Sequence, residues 1–280
     1  MAGERLCGVL LNSFCIFVPM KVTFLGTGTS QGVPVIGCKC SVCQSEDSRD
    51  KRLRTSAMVE VQGRRFIIDA GPDFRYQMLR TKVTHIDALL LTHEHKDHTG
   101  GIDDVRAFNF VDYPEAIHRI HIYGNSTTIE AIHRDFHYAF ATNKYRGVPE
   151  IETHTISESE NFKVEGIEIT PIVGNHSERF RSVGYRIGRF AYLTDMNYIA
   201  PEEVEKLRGV DTMVINALRG EPHSSHFSVS EALEIIKEVA PRVAYLTHAS
   251  HRIGLHQELE HRLPAGVKMA YDGLEIEIDE

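Results

Sequence analysis

The sequence predicts an α/β fold of two β-sheets flanked by helices, and three observations carry that prediction. Short β-rich runs dominate the first stretch, a continuous apolar run at 88–91 reads as a buried strand, and strand and helix patterns alternate through the last third. Sheets with apolar faces bury them against each other or under helices, so such a list of elements packs as layers. With 280 residues, 42% hydrophobic and 25% charged, the chain can bury a substantial core, and one domain over 20–280 is expected.

The elements follow in order. Residues 6–18 are fairly apolar behind Glu4 and Arg5, a faint imitation of a signal peptide. Asn12 and Ser13 interrupt the run and no small-residue cleavage site follows. It is also too short for a spanning helix, which needs about 20 apolar residues. Residues 1–19 are therefore expected to be an extension outside the fold. Strands are predicted at 21–25, 57–61 and 65–69, the last two joined by a tight turn at Gln62-Gly63. The segment 26–54 is too rich in Gly and Pro to be regular throughout, and long loops within compact domains usually serve function. A helix at 73–80 precedes the strand 88–91, which delivers Thr92 onward at its C-terminal end.

Strands at 120–123, 167–173, 182–187 and 190–194 come next, with helices at 127–139 and 201–207. The chain closes with strand 212–216, helix 228–239, strand 243–247, helix 255–262 and strands 268–271 and 274–278. In the 228–239 helix, Val229, Leu233, Ile236 and Val239 share one face, with Ser228 or Ser230 as candidate cap. The segment 115–149, with His133, His137, Tyr138, Phe140 and Tyr145, reads either as a substrate lid or as an amphipathic surface helix and loop.

A formal charge of -8 gives no broad basic footprint for a phosphate backbone, which disfavours nucleic acid as a partner. Of five Cys, three crowd into Cys38, Cys40 and Cys43, a spacing that suits metal coordination better than a disulfide framework and points to a reducing, cytoplasmic compartment. Cys7 and Cys15, in the extension, carry no assigned role.

The chemistry is concentrated in Thr92-His93-Glu94-His95-Lys96-Asp97-His98. His93 and His95 are two apart at a strand end, so in extended backbone both imidazoles project to one side and can reach one cation. Asp97 and His98 follow where the chain turns toward Gly100-Gly101, aiming a carboxylate and another imidazole at a neighbouring position. Later strands end in further ligand types: His176, Asp195 and His248. Imidazole and carboxylate together suit zinc, manganese or iron, and Asp195 is placed to bridge two such ions. Asp69, ending the strand before Ala70-Gly71, is either an orienting carboxylate behind a ligand or a turn stabiliser.

From Met20 to the C-terminus the sequence resembles the metallo-β-lactamase superfamily, whose His-x-His-x-Asp-His pattern stands here at His93 to His98. The resemblance implies an αββα sandwich, with His93, His95 and His176 on one metal, Asp97, His98 and His248 on the other, and Asp195 between. The clustered Cys are a set that one tetrahedral zinc can gather, with His251 as the fourth ligand. Together with Gln31-Gly32-Val33-Pro34, Thr247-His248-Ala249-Ser250-His251, Leu263-Pro264-Ala265-Gly266 and Tyr271-Asp272-Gly273, this narrows the resemblance. It is similar to the family of phosphoribosyl cyclic phosphate phosphodiesterases of bacterial phosphonate degradation. That similarity implies a structural zinc on Cys38, Cys40, Cys43 and His251, and a small cyclic phosphodiester as substrate. A related protein of pyrroloquinoline quinone biosynthesis shares the Cys loop but has a degraded catalytic cluster, so the intact cluster here favours a working phosphodiesterase. The departure lies at 218–226, shorter than the family's equivalent, which leaves the exact substrate open.

The expected reaction is attack by a water activated between two divalent cations, with Asp97 in that machinery. His226 is the family-matching general acid for the leaving group and His223 the alternative. No membrane partner is expected, and relatives suggest a homodimer. Competing readings are a transfer-RNA 3′ processing nuclease, a thiolester or lactam hydrolase, and a non-catalytic metal-binding protein of the same fold.

Overall fold

The β-rich runs pair into two sheets in the computed structural model, which describes residues 20–279; the expectation for residues 1–19 lies outside the described residues. The N-terminal half supplies β1 (Met20–Gly26), β2 (Ser56–Val61), β3 (Arg64–Ile68), β4 (Ala88–Leu90), β5 (Ile120–Gly124) and β6 (Ile151–Thr155). The C-terminal half supplies β7 (Phe162–Val164), β8 (Ile167–Asn175), β9 (Arg181–Ile187), β10 (Phe190–Leu193), β11 (Tyr198–Ile199), β12 (Thr212–Asn216), β13 (Val243–Thr247) and β14 (Val267–Met269). The last strand, β15 (Glu275–Ile278), returns to pair with β1. One sheet runs β15-β1-β2-β3-β4-β5-β6; the other runs β11-β8-β9-β10-β12-β13-β14, with β7 beside β8.

Three apolar layers show how these sheets stack. In β3, Phe66 and Ile68 join the core between the sheets, whereas Ile67 joins the core under the helices of the first sheet. In β12, Val214 faces the other sheet while Met213 and Ile215 face the helices of the second. Alternate residues thus point to opposite buried faces, which is why these strands read as continuous apolar runs. The helix Phe74–Thr81 covers one outer face with Phe74 and Met78; the helix Val229–Val239 covers the other with Ala232 and Ile236. The architecture is therefore the expected αββα sandwich. Ser228 caps the latter helix in a reciprocal box with Glu231, as the sequence allowed.

The strand directions position the site. β3, β4, β5 and β6 are mutually parallel, as are β10, β12, β13 and β14, and β8 runs with β10 because both are antiparallel to β9. The C-terminal ends of β3, β4, β8, β10 and β13 each deliver a polar residue or loop, and side-chain contacts bring these together.

Some elements differ from expectation. The helix predicted at 127–139 ends at Asp135: Phe136 leaves helical geometry at φ -114°, buries its ring, and is followed by the short helix His137–Phe140. The helix Ser126–Asp135 packs Ile129 and Ile132 into the outer core, and the Lys96–Asp135 pair ties it to the segment after β4. Strand β6 has no strand signal in the sequence, because Glu-Thr-His-Thr carries little apolar character and its pairing comes from β5. Among the described residues, no helix is long and apolar enough to cross a membrane.

Candidate metal centre

Three of the strand-end residues adopt backbone conformations that side chains seldom take: Asp69 at φ 63°, Asp195 at φ 58° and His248 at φ 58°. All three are buried, so surrounding structure holds them there. After β4 the chain bends at Glu94, is extended at His95, and then makes a single helical turn, Lys96–Thr99, which brings the His98 ring to 4.3 Å from that of His93. That turn rests against Gly71, where a Cβ would lie 1.9 Å from the Asp97 carbonyl oxygen. Only glycine permits this approach.

The imidazoles converge in two groups. His95 Nδ1 lies 2.9 Å from His93 Nε2 and 3.2 Å from His176 Nε2. A tetrahedral ion with metal–nitrogen bonds of about 2.0 Å sets nitrogen separations of about 3.3 Å, so this group has the span of a metal site. The second group holds Asp97, His98 and His248: His98 Nε2 is 3.2 Å from Asp97 Oδ2, and the His98 and His248 rings stack 5.8 Å apart. Asp195 stands between the groups. Its Oδ1 faces His248 at 3.0 Å and His98 at 3.4 Å, while its Oδ2 faces His176 at 3.8 Å and His93 at 3.9 Å.

Hydrogen bonds from behind orient these groups. His98 Nδ1 donates to Asp69 Oδ2 at 2.6 Å, and Asp69 also accepts from the Thr92 amide and hydroxyl, both at 2.9 Å. Asp69 therefore both orients His98 and ties the ends of β3 and β4, the two roles that the sequence left as alternatives. His176 Nδ1 meets the Ser225 carbonyl at 2.9 Å, and the Thr194 hydroxyl donates to Asp195 Oδ1 at 2.6 Å. With its Nδ1 so bound, His98 turns its buried Nε2 toward the Asp97 and Asp195 carboxylates without completing a hydrogen bond, and the buried His248 Nε2 has no hydrogen-bond partner. Such orphaned nitrogens are costly unless something binds them.

The electrostatics have the same sense. Burial pushes His93 well below the ordinary imidazole range, and the charge of His98 adds to this; burial likewise takes His176 down to about 4. Neutral imidazole is the form that binds a cation. Burial opposes charge on His98 too, but Asp195, Asp69 and Asp97 outweigh it and raise that imidazole well above its usual value. Burial would also raise Asp97 and Asp195; instead His98 holds Asp97 below the carboxylate range, and His248 with His98 does so for Asp195. Carboxylates converge here on a demand for positive charge.

His226 lies against the same centre, its Nε2 3.2 Å from Asp195 Oδ2 and its ring stacked on His248 at 4.8 Å. The Ser225 hydroxyl lies 2.8 Å from His226 Nδ1 and 3.0 Å from His223 Nδ1, so His223 stands one hydroxyl further out. Phe180, from the turn between β8 and β9, packs on His95 at 4.9 Å and is 39% exposed. It was missed in the sequence, where a lone aromatic in a turn carries no periodic signal.

The Cys loop forms a second cluster. Cys38, Cys40 and Cys43 Sγ lie 3.2, 3.4 and 3.5 Å from a single atom, His251 Nδ1. Tetrahedral zinc, with bonds of about 2.3 Å to sulfur and 2.0 Å to nitrogen, sets that separation at about 3.5 Å. The backbone N–H of Cys43 lowers the Cys40 thiol to about 6, with His251 helping, while burial pushes Cys43 up to about 11.

Residues 64–249 match the family described as a beta-lactamase superfamily domain. The chain belongs to that superfamily. Among solved structures, a diphosphatase from the PhnP family superposes with a TM-score of 0.86 at 38% identity, covering 93% of this chain and 98% of that one. An octanoyltransferase of Porphyromonas gingivalis is 40% identical over 93% of this chain, but this chain spans only 52% of that relative. Coenzyme PQQ synthesis protein B of Methylobacterium nodulans is 32% identical over 31% of this chain and 34% of its own length. Within the superfamily fold, Asp69, the segment of His93 to His98, His176, Asp195 and His248 follow the C-terminal ends of β3, β4, β8, β10 and β13.

Proposed function

We propose that this chain is a binuclear metal-dependent hydrolase acting on a small phosphodiester, the cyclic form included. The observation that carries this reading is Asp195, whose two oxygens face two separate imidazole groups. His93, His95 and His176 would hold one cation and Asp97, His98 and His248 the other, with Asp195 placed to serve both. Two divalent ions of the zinc or manganese type supply Lewis acidity toward a phosphoryl oxygen and an acidified water at neutral pH.

The chain's own residues do the rest. Asp69 fixes His98 and the Ser225 carbonyl fixes His176, so each presents its other nitrogen inward. Phe180 shields His95 from one side, and its exposed face is a platform for the apolar part of a substrate. His226 is the general acid: its Nε2 holds the proton that the leaving alkoxide needs. Burial lowers this imidazole even against its hydrogen bond with Asp195, so once protonated it gives the proton up readily. The Ser225 hydroxyl, itself against His223, holds the ring from its Nδ1 side and so keeps Nε2 turned toward Asp195. The cluster of Cys38, Cys40, Cys43 and His251 is a closed structural zinc site, since four protein ligands leave no position for substrate.

A phosphorus substrate is favoured by the nearly complete match to the PhnP-family diphosphatase, which covers 98% of that protein. The acyl-transfer name belongs to a relative with almost half its length outside the match, where there is room for that activity. Protein of measured metal content, assayed on bis-p-nitrophenyl phosphate, a ribosyl cyclic phosphate, a diphosphate ester and a thiolester, tests the reading. Turnover of the phosphodiesters supports it; turnover of the thiolester alone defeats it.

A further inference from the structure

The metal centre and the Cys cluster leave several imidazoles on the first sheet without a role, and a group of them converges on one spot. His121 on β5 lies opposite Glu152 on β6, and two residues further Tyr123 lies opposite His154. Residues two apart on a strand share a face, so His121, Glu152 and His154 stand together on a two-strand platform. His121 Nδ1 is 2.9 Å from His154 Nε2, and Glu152 Oε1 is 3.8 Å from that same His154 nitrogen. We propose that His121, Glu152 and His154 form a third metal site, taking a borderline divalent ion such as Zn2+, Ni2+ or Cu2+ with two nitrogens and one oxygen.

Several observations distinguish this group from a chance surface cluster. The three ligand atoms all lie within 4.8 Å of one another, a span one ion can bridge. Glu152 is divided between two tasks: Arg119 binds Oε2 at 3.2 Å, which leaves Oε1 directed at His154. The imidazoles are held by stacking. Tyr123 lies flat on His154 at 4.4 Å and 15°, Phe162 supports Tyr123 from behind at 5.9 Å, and His121 stacks on His154 at 5.1 Å. Rings fixed in this way lose little freedom on binding an ion. Burial, followed by the neighbouring His121, lowers the His154 pKa, keeping it in the neutral form that ligates. His121 lines an open cavity of about 640 Å3, and the His154 and Glu152 side chains are themselves 31% and 44% exposed, so an ion reaches the platform from solvent. Three protein ligands leave a coordination position open, where water or a donor from another molecule completes the site.

The test is a Ni2+ titration of the protein carrying its resident metals, with those metals measured before and after. Wild type should bind one additional equivalent. His154→Ala and the isosteric Glu152→Gln should each weaken it by more than about 100-fold, exceeding the loss usual for an outer partner of a ligand, while resident metal content stays unchanged. His133→Ala, a surface imidazole on a helix, should leave it intact. An additional equivalent that persists in both site variants, or none in wild type, overturns the proposal.

Discussion

Two of the ligand-type clusters of this fold are built on opposite plans. The His and Asp centre draws its ligands from the ends of separate strands, buries them, and backs them with orienting partners such as Asp69, Thr194 and the Ser225 carbonyl. The Cys cluster takes three ligands from one short loop and a single distant imidazole, with only Cys43 buried. The first needs the whole sandwich to exist; the second ties a loop to one distant residue. They meet in one segment, since His248 belongs to the first and His251 to the second, with Ala249 between them accepting from Thr29 and donating to Thr27 across the loop. A cluster anchored three residues from His248 is a way of holding the His248 backbone, strained at φ 58°, in place.

This contrast can be broken at several points. Asp195→Ala should do most, removing the bridge and lowering kcat by about 10³-fold or more, beyond what loss of one positioned donor costs; a variant that still binds both ions would refute the bridging role. His226→Ala should lower kcat by about 10²-fold at unchanged metal content, the low end for a general acid, and unaltered turnover of a poorly activated phosphodiester would remove it from the mechanism. Asp69→Asn weakens the hold on His98 and should cost about 10-fold to 100-fold in metal affinity or activity, read by competition with a chelator. Cys40→Ser acts on the other cluster. There the melting temperature should fall by about 10 °C, since binding energy at such a site is folding energy, with activity at low temperature affected less. Full thermal stability in that variant would count against a structural zinc.

Much of this was legible in the sequence, for identifiable reasons. His93 and His95 at a strand end need only local geometry to share an ion, and Cys38 to Cys43 need only a loop. His176, Asp195 and His248 could be picked out because each ends an apolar run. By contrast, Phe180 stands alone in a turn, and Glu152 with His154 sits on a strand too polar to be seen before its pairing with β5 is known.

By itself the sequence determined the ligand types, their order along the chain and the runs that become strands, because residue chemistry and a two-residue period are local properties. Only the tertiary structure decided that one carboxylate faces two imidazole groups, that Asp69 stands behind His98, and that His226 rather than His223 touches Asp195. Those relations depend on the order and direction of strands within each sheet and on how the two sheets face, and no spacing along the chain encodes them.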